Sequence, residues 1–324
     1  MPKKAITDIL RHVPPLEWED HLQGLGYIIQ NEHCPQEILE LVIATILYAI
    51  SNCSIEEVKR PAAEALVAAR VIRQEKFETL FAAINSPGPY GNEDWQGPAQ
   101  IVGEMINQEG EAAKKLLSGL YYILQSDEEY FYPNLKERVA QLLGYVDSYE
   151  NTRVLLETLR NKSPGRSFFK ARIGAVFGLT QIGRRHPNRQ AKIISVFSEV
   201  FHEAERLTEL EDSLFEQKSP YELRCAIIQA IGNMPNTSSQ ARELLKDTIV
   251  LPSAPPSYLD KPIAVYAAEA AGKLDLEPVF SAEITDTLLL ALSSSDPRVR
   301  NAAWESLNRL EQKAQEDSSP IIHS

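Results

Sequence analysis

Asp296-Pro297-Arg298-Val299-Arg300-Asn301-Ala302-Ala303-Trp304-Glu305-Ser306-Leu307 is the stretch whose reading decides the fold. A basic residue is followed two and three positions on by small residues, and then by an apolar residue. Three earlier stretches repeat the pattern: Arg60-Pro61-Ala62-Ala63-Glu64-Ala65-Leu66, Arg172-Ile173-Gly174-Ala175-Val176-Phe177-Gly178-Leu179 and Arg224-Cys225-Ala226-Ile227-Ile228-Gln229-Ala230-Ile231. Small residues three and four apart lie on one face of a helix, where they let a neighbouring helix approach to about 8 Å.

The ends of these small-residue helices fall near Gly26, Ala68, Gly103, Gly144, Thr180, Gly232, Gly272 and Asn308. The mean spacing is about 40 residues, enough for two helices and two turns. A recurring helical hairpin that buries its apolar stripe only against its neighbours predicts an all-α fold, an α-solenoid of about eight hairpins. One such array is expected over residues 1–312, followed by a polar, disordered tail over 313–324. Strand-like alternation with Asn-Gly or Asp-Gly turns is absent. Most of the 20 prolines stand between periodic segments, where they punctuate helices.

Asp296, Val299 and Arg300 resemble the Asp-x-x-Val-Arg start of a HEAT second helix, and Ala302 and Ala303 resemble its small positions. Arg60, Arg138, Arg172 and Arg224 keep the basic position without the preceding Asp. The resemblance to the HEAT-repeat superfamily covers roughly residues 16–312 and implies a fold and a bias towards protein binding. In that reading the Asp caps the N-terminus of the helix that follows it, and the Arg reaches a neighbouring turn. The short units are also similar to those of the phycobilin lyase family. That likeness implies a bilin lyase or chromophore chaperone acting on a phycobiliprotein, with the basic island at Arg160 to Lys170 holding the tetrapyrrole propionates. It carries over no catalytic residue.

The chain has 324 residues, 44% of them hydrophobic, and a formal net charge of −12. An acidic chain repels a phosphate backbone, which counts against nucleic-acid binding. The longest apolar run, Ile38 to Ile50, is interrupted by Glu40 and is too short to span a bilayer. Two lysines near the N-terminus are followed by Asp8, His12 and Pro14, unlike a signal peptide. Cys34, Cys53 and Cys225 form no Cys-x-x-Cys pair, which suits a reducing compartment. A cytoplasmic protein without a membrane segment is expected.

Charge is unevenly spread. Arg160, Lys162, Arg166, Lys170, Arg172, Arg184, Arg185, Arg189 and Lys192 occupy a stretch with no Asp or Glu. The following stretch, Glu199 to Glu216, is acidic apart from Arg206. Stacked neighbours of opposite sign neutralise each other in one reading. In the other, Arg160, Lys162, Arg166 and Lys170 bind an anion or an acidic partner, since Arg pairs in a planar, bidentate way with carboxylate or phosphate. A helix over 170–182 keeps Arg184 to Arg189 at its far end, out of reach of the same ligand.

The turns within hairpins look long: Ser86 to Pro98, Ser126 to Asn134, Asn161 to Ser167, Leu210 to Pro220 and Leu251 to Pro262. The turns between hairpins look short. Insertions on one edge of a repeat array often mark its binding face. Tyr90, Trp95, Tyr130, Arg166 and Tyr258 lie in these long segments and are the candidate partner-binding residues. Phe168, Phe169 and Phe215 are expected instead to cover the helix stack.

The six histidines form no His-x-x-x-His pair, so no metal site is read. No glycine-rich phosphate loop or Gly-x-Ser-x-Gly elbow is present, and no catalytic residue or cofactor is assigned. The sequence thus reads as a non-enzymatic scaffold or adaptor that binds a protein through the edge and concave surface of a HEAT-like array.

Overall fold

The computed structural model describes scattered positions between Gln100 and Gln125, and residues 133–318 apart from 163–165, 211–213, 236–237, 252–260 and 275–277. Among the described residues all regular structure is helical, with no strand. The helices are α1 (Pro133–Leu143), α2 (Tyr149–Arg160), α3 (Arg166–Arg185), α4 (Pro187–Leu210), α5 (Leu214–Gly232), α6 (Ser239–Ile249), α7 (Ile263–Ala271), α8 (Pro278–Ala291) and α9 (Pro297–Ser318). None of the described helices is long and apolar enough to cross a membrane.

Local chemistry sets these boundaries. Proline opens α1, α4, α8 and α9, where its missing N–H would have no partner anyway. Ser148 Oγ accepts from the Glu150 amide (3.2 Å) at the start of α2, and Ser238 Oγ accepts from the Ala241 amide (3.3 Å) at the start of α6. Each cap satisfies one orphan N–H of the first turn. Ahead of α9, Asp296 Oδ1 accepts from the Arg298 amide at 2.8 Å, the role expected of the motif aspartate.

The chain divides into two compact units, residues 1–178 and 179–324. In the first unit α1 packs on α2, and the α3 glycines press onto α1. A Cβ at Gly178 would sit 2.5 Å from the Ala140 carbonyl oxygen, and one at Gly174 would run into the backbone of Glu137. Glycine is required there because backbone meets backbone. Ala140, Leu143, Leu155, Leu159, Ala175 and Val176 fill the core of this unit.

In the second unit α4 pairs with α5, α6 with α7 and α8 with α9. The first helices stack as α4 on α6 on α8, and the second helices as α5 on α7 on α9. Ile193, Phe197, Ile227, Ile231, Ala267, Ala271, Ile284, Leu288 and Ala303 are buried between them. Each large apolar side chain fully removed from water contributes about 1.5–3 kcal/mol. Side chains tie successive helix pairs at about 40 residues' separation. Tyr221 donates to the Lys261 carbonyl (2.8 Å), Ser306 to the Ala268 carbonyl (2.8 Å) and Lys313 to the Leu274 carbonyl (3.2 Å), across 40, 38 and 39 residues. In the first unit Asn107 donates to the Tyr145 carbonyl across 38 residues.

The loop expectations fare unevenly. The connections 144–148, 233–238 and 272–277 are short, and His186 alone separates α3 from α4, as expected of turns between hairpins. The segment Leu210 to Pro220 is not a long loop: α5 already starts at Leu214 and runs through Pro220. The proline removes only one backbone bond near the N-terminal end of a 19-residue helix, and the helix continues. The α2–α3 connection is 161–165, also short. The five-loop edge thus loses two members; most of the other three, Ser86 to Pro98, Ser126 to Asn134 and Leu251 to Pro262, lies outside the described residues. Helix α3 extends beyond 170–182 at both ends, and α9 continues to Ser318.

Candidate partner-binding surface

The motif cations face inward. In α3, Arg172 Nε donates to the Leu159 carbonyl at 2.8 Å, in the last turn of α2, and its guanidinium lies 5.4 Å from the Phe169 ring centre. In α5, Arg224 donates to Glu205 Oε1 at 2.6 Å, on α4, and sits 4.7 Å from the Phe201 ring centre. In α9, Arg300 donates to the carbonyls of Ser294 (2.7 Å) and Ser295 (3.0 Å) in the turn before its helix. Each arginine reaches back to the preceding helix or turn: Arg172 and Arg300 satisfy backbone carbonyls there, and Arg224 pairs with a side-chain carboxylate. Their role is structural.

The candidate anion residues lie at the end of α2, just beyond it and in the first turns of α3. Arg160 is the exposed last residue of α2, where a cation suits the helix dipole, and Lys162 is exposed just beyond it. Arg166 opens α3. Lys170, a turn further on, is 3.7 Å from buried Glu137 of α1. Beside it Lys136 Nζ lies 4.6 Å from the Phe168 ring centre. Phe168 and Phe169, both half-buried, thus lie beside the Lys136 and Arg172 cations; the Phe215 side chain lies outside the described residues.

Tyr90, Trp95, Tyr130 and Tyr258 lie outside the described residues, and of Arg166 only the backbone is described. Those partner-binding expectations meet no geometry here. Among the described residues, large apolar side chains are exposed at Tyr149, Val250, Leu289, Leu290 and Trp304. Trp304 stands four residues before Asn308, as Ile228 and Ala268 stand before Gly232 and Gly272. Ile228 and Ala268 are fully buried, whereas Trp304 is 59% exposed. The signal was present in the sequence, as a large ring in a small-residue register, but only burial separates a surface ring from a core one.

The acidic stretch is partly consumed in place. Glu205 takes Arg224 and also His202 Nδ1 at 3.5 Å. The buried thiol of Cys225 is pushed up to about 12, chiefly by burial, so it remains protonated near neutrality and behaves as a small hydrophobe. No group of His, Cys, Asp or Glu that could hold a metal ion occurs among the described residues. No protein-family model matches the chain, and no curated protein matches it.

Proposed function

We propose that this chain is a non-enzymatic, cytoplasmic protein-binding scaffold or adaptor, built as a HEAT-like α-solenoid and acting through its edge and concave surface. The observation that carries the reading is the ladder in residues 179–318. Hairpins meet first helix to first and second to second, and side chains bridge them at about 40-residue intervals. An array of this kind offers surface in proportion to its length. Its motif cations are taken up by its own helices and turns, so recognition falls to the exposed side chains of edges and connections.

The test is affinity capture from the native host with the full chain and with Trp95→Ala and Tyr258→Ala variants. Truncating an anchor ring typically costs about 2 kcal/mol or more of binding. A protein partner should be captured by the parent chain and lost from the variants, with melting temperatures unchanged. Trp95→Ala that keeps its partner but melts several degrees lower would make the ring a structural cover. No captured protein, together with a shifted spectrum on mixing with a free linear tetrapyrrole, would replace this reading with the bilin-handling one.

A further inference from the structure

The position of Trp304 in its helix is one that the earlier copies keep covered. Counted from the helix ends, Cys225, Val265 and Asn301 are equivalent, as are Ile228, Ala268 and Trp304, and Gly232, Gly272 and Asn308. In α5 and α7 all six of these positions are buried. Two of those in α7 face the next helix: the Ala268 carbonyl accepts from Ser306 of α9, and a Cβ on Gly272 would meet the same serine. In α9 Asn301 and Trp304 are exposed and Asn308 is half-buried. Ser306 and Lys313, which bond back to Ala268 and Leu274, lie about half a turn round α9 from Trp304, so the ring stands on the side away from α7. Asn301, Trp304, Asn308 and Glu311 follow one another at intervals of three and four residues and make one stripe along α9. Resting on the protein-binding reading above, we propose that this stripe is a docking site for an extended peptide segment bearing lysine or arginine.

Three observations favour that occupant. First, a helix fits poorly. Gly232 and Gly272 let the next helix come so near that a Cβ would overlap it, whereas Trp304 and Asn308 fill the equivalent space on α9. A helix pair or a second copy stacked as in the preceding pairs would clash with them, while an extended chain can lie beside the ring. Second, an Asn amide offers a donor and an acceptor, the complement of a main-chain peptide group. Neither the Asn301 nor the Asn308 side chain makes a hydrogen bond among the described residues. The two stand about 10 Å apart along the helix, the length of about three residues of extended chain, so both reach one segment with the ring between them. Third, the charges suit a cation. Glu311 lies on the stripe and Glu305 beside it, both exposed. Arg300, on the same side, is turned to the carbonyls of Ser294 and Ser295, and Arg309 stands 3.6 Å from Glu305. A lysine or arginine of the segment gains both the ring face and a carboxylate. A nucleic acid would gain the ring but set its phosphates against the carboxylates.

Fluorescence anisotropy of the full chain with a fluorescein-labelled peptide of alternating lysine and alanine tests the proposal. The parent chain should bind the peptide, and Trp304→Ala should bind it about tenfold or more weakly. The double variant Asn301→Ala/Asn308→Ala should lose about tenfold. The same peptide methylated on its backbone nitrogens should bind the parent about tenfold more weakly, because its charge is kept while its main chain no longer donates to the amides. Trp304→Ala should melt with the parent, since the ring is exposed. No peptide binding by the parent chain, equal binding by Trp304→Ala, equal binding of the methylated peptide, or tighter binding of a glutamate–alanine peptide or an oligonucleotide would overturn the proposal. So would self-association of the parent chain that Trp304→Ala abolishes, which would assign the stripe to a second copy. Failure here while Trp95-dependent capture persists removes this site alone; failure of both removes the protein-binding reading as well.

Discussion

Between Pro133 and Gly178 the small positions of one helix press on carbonyl groups and glycine backbone of the next, whereas beyond Leu179 they press on the Cα and Cβ atoms of alanine and serine. A Cβ at Gly178 would strike a carbonyl oxygen of α1. One at Gly232 would come within 2.7 Å of Ala270, and one at Gly272 within 2.6 Å of the Ser306 hydroxyl. The sequence pattern looks alike in both regions, but the tolerance to change does not. The overlap is deepest at Gly174, against the Glu137 carbonyl oxygen, and a main-chain carbonyl held in a helix cannot turn aside.

The largest effect that would sharpen this contrast is Gly174→Ala. Helix propensity alone favours alanine by about 1 kcal/mol. Overpacking against the Glu137 backbone should outweigh it, for a net loss of about 3 kcal/mol in urea unfolding. A stabilised variant would mean that α1 and α3 separate freely, and the contrast would collapse. Gly272→Ala should cost less, about 1–2 kcal/mol, because its overlap with Ser306 (2.6 Å from the hydroxyl, 2.8 Å from Cα) is shallower than that of Gly174 with the Glu137 carbonyl oxygen. Adding Ser306→Gly should recover much of that loss, with a coupling of about 1 kcal/mol in a double-mutant cycle; strict additivity would show that the two positions do not press on each other.

The smallest expected effect lies in the exposed turn before α9. Hydrogen bonds from Arg298 hold the Asp296 carboxyl down at about 2. A carboxylate depressed on folding stabilises the fold above its unfolded value of about 3.9, and that contribution disappears as pH falls towards 2. Asp296→Asn should therefore melt slightly below the parent at neutral pH and level with it near the folded value. A melting difference that stays constant from pH 7 down to 2 would show that the cap acts by shape and not by charge.

Much of the helical framework was legible in the sequence because its punctuation is local. Gly232 to Ser238 and Gly272 to Pro278 signal a stop and a start within a few residues, and helices end and begin there. The start of α5 was not legible. Pro220 and the acidic run before it resemble a loop, while the burial that carries a helix through a proline depends on distant residues. The candidate site was less legible still. Arg160 and Lys170 are equivalent as letters. What distinguishes them is Glu137, 33 positions away from Lys170. Pairing of charges is a tertiary property, and periodicity carries no record of it.

The ties between hairpins in residues 179–318 also bear on how such a chain can be inherited. Tyr221 to Lys261 and Ser306 to Ala268 each join one hairpin to the next, at nearly the same offset. A deleted or inserted segment of about 40 residues would leave each donor in register with a main-chain carbonyl of the neighbouring helix pair. A segment of any other length would misplace them all. The offset therefore acts as a ruler for change, permitting growth or loss in whole hairpins and penalising every intermediate length.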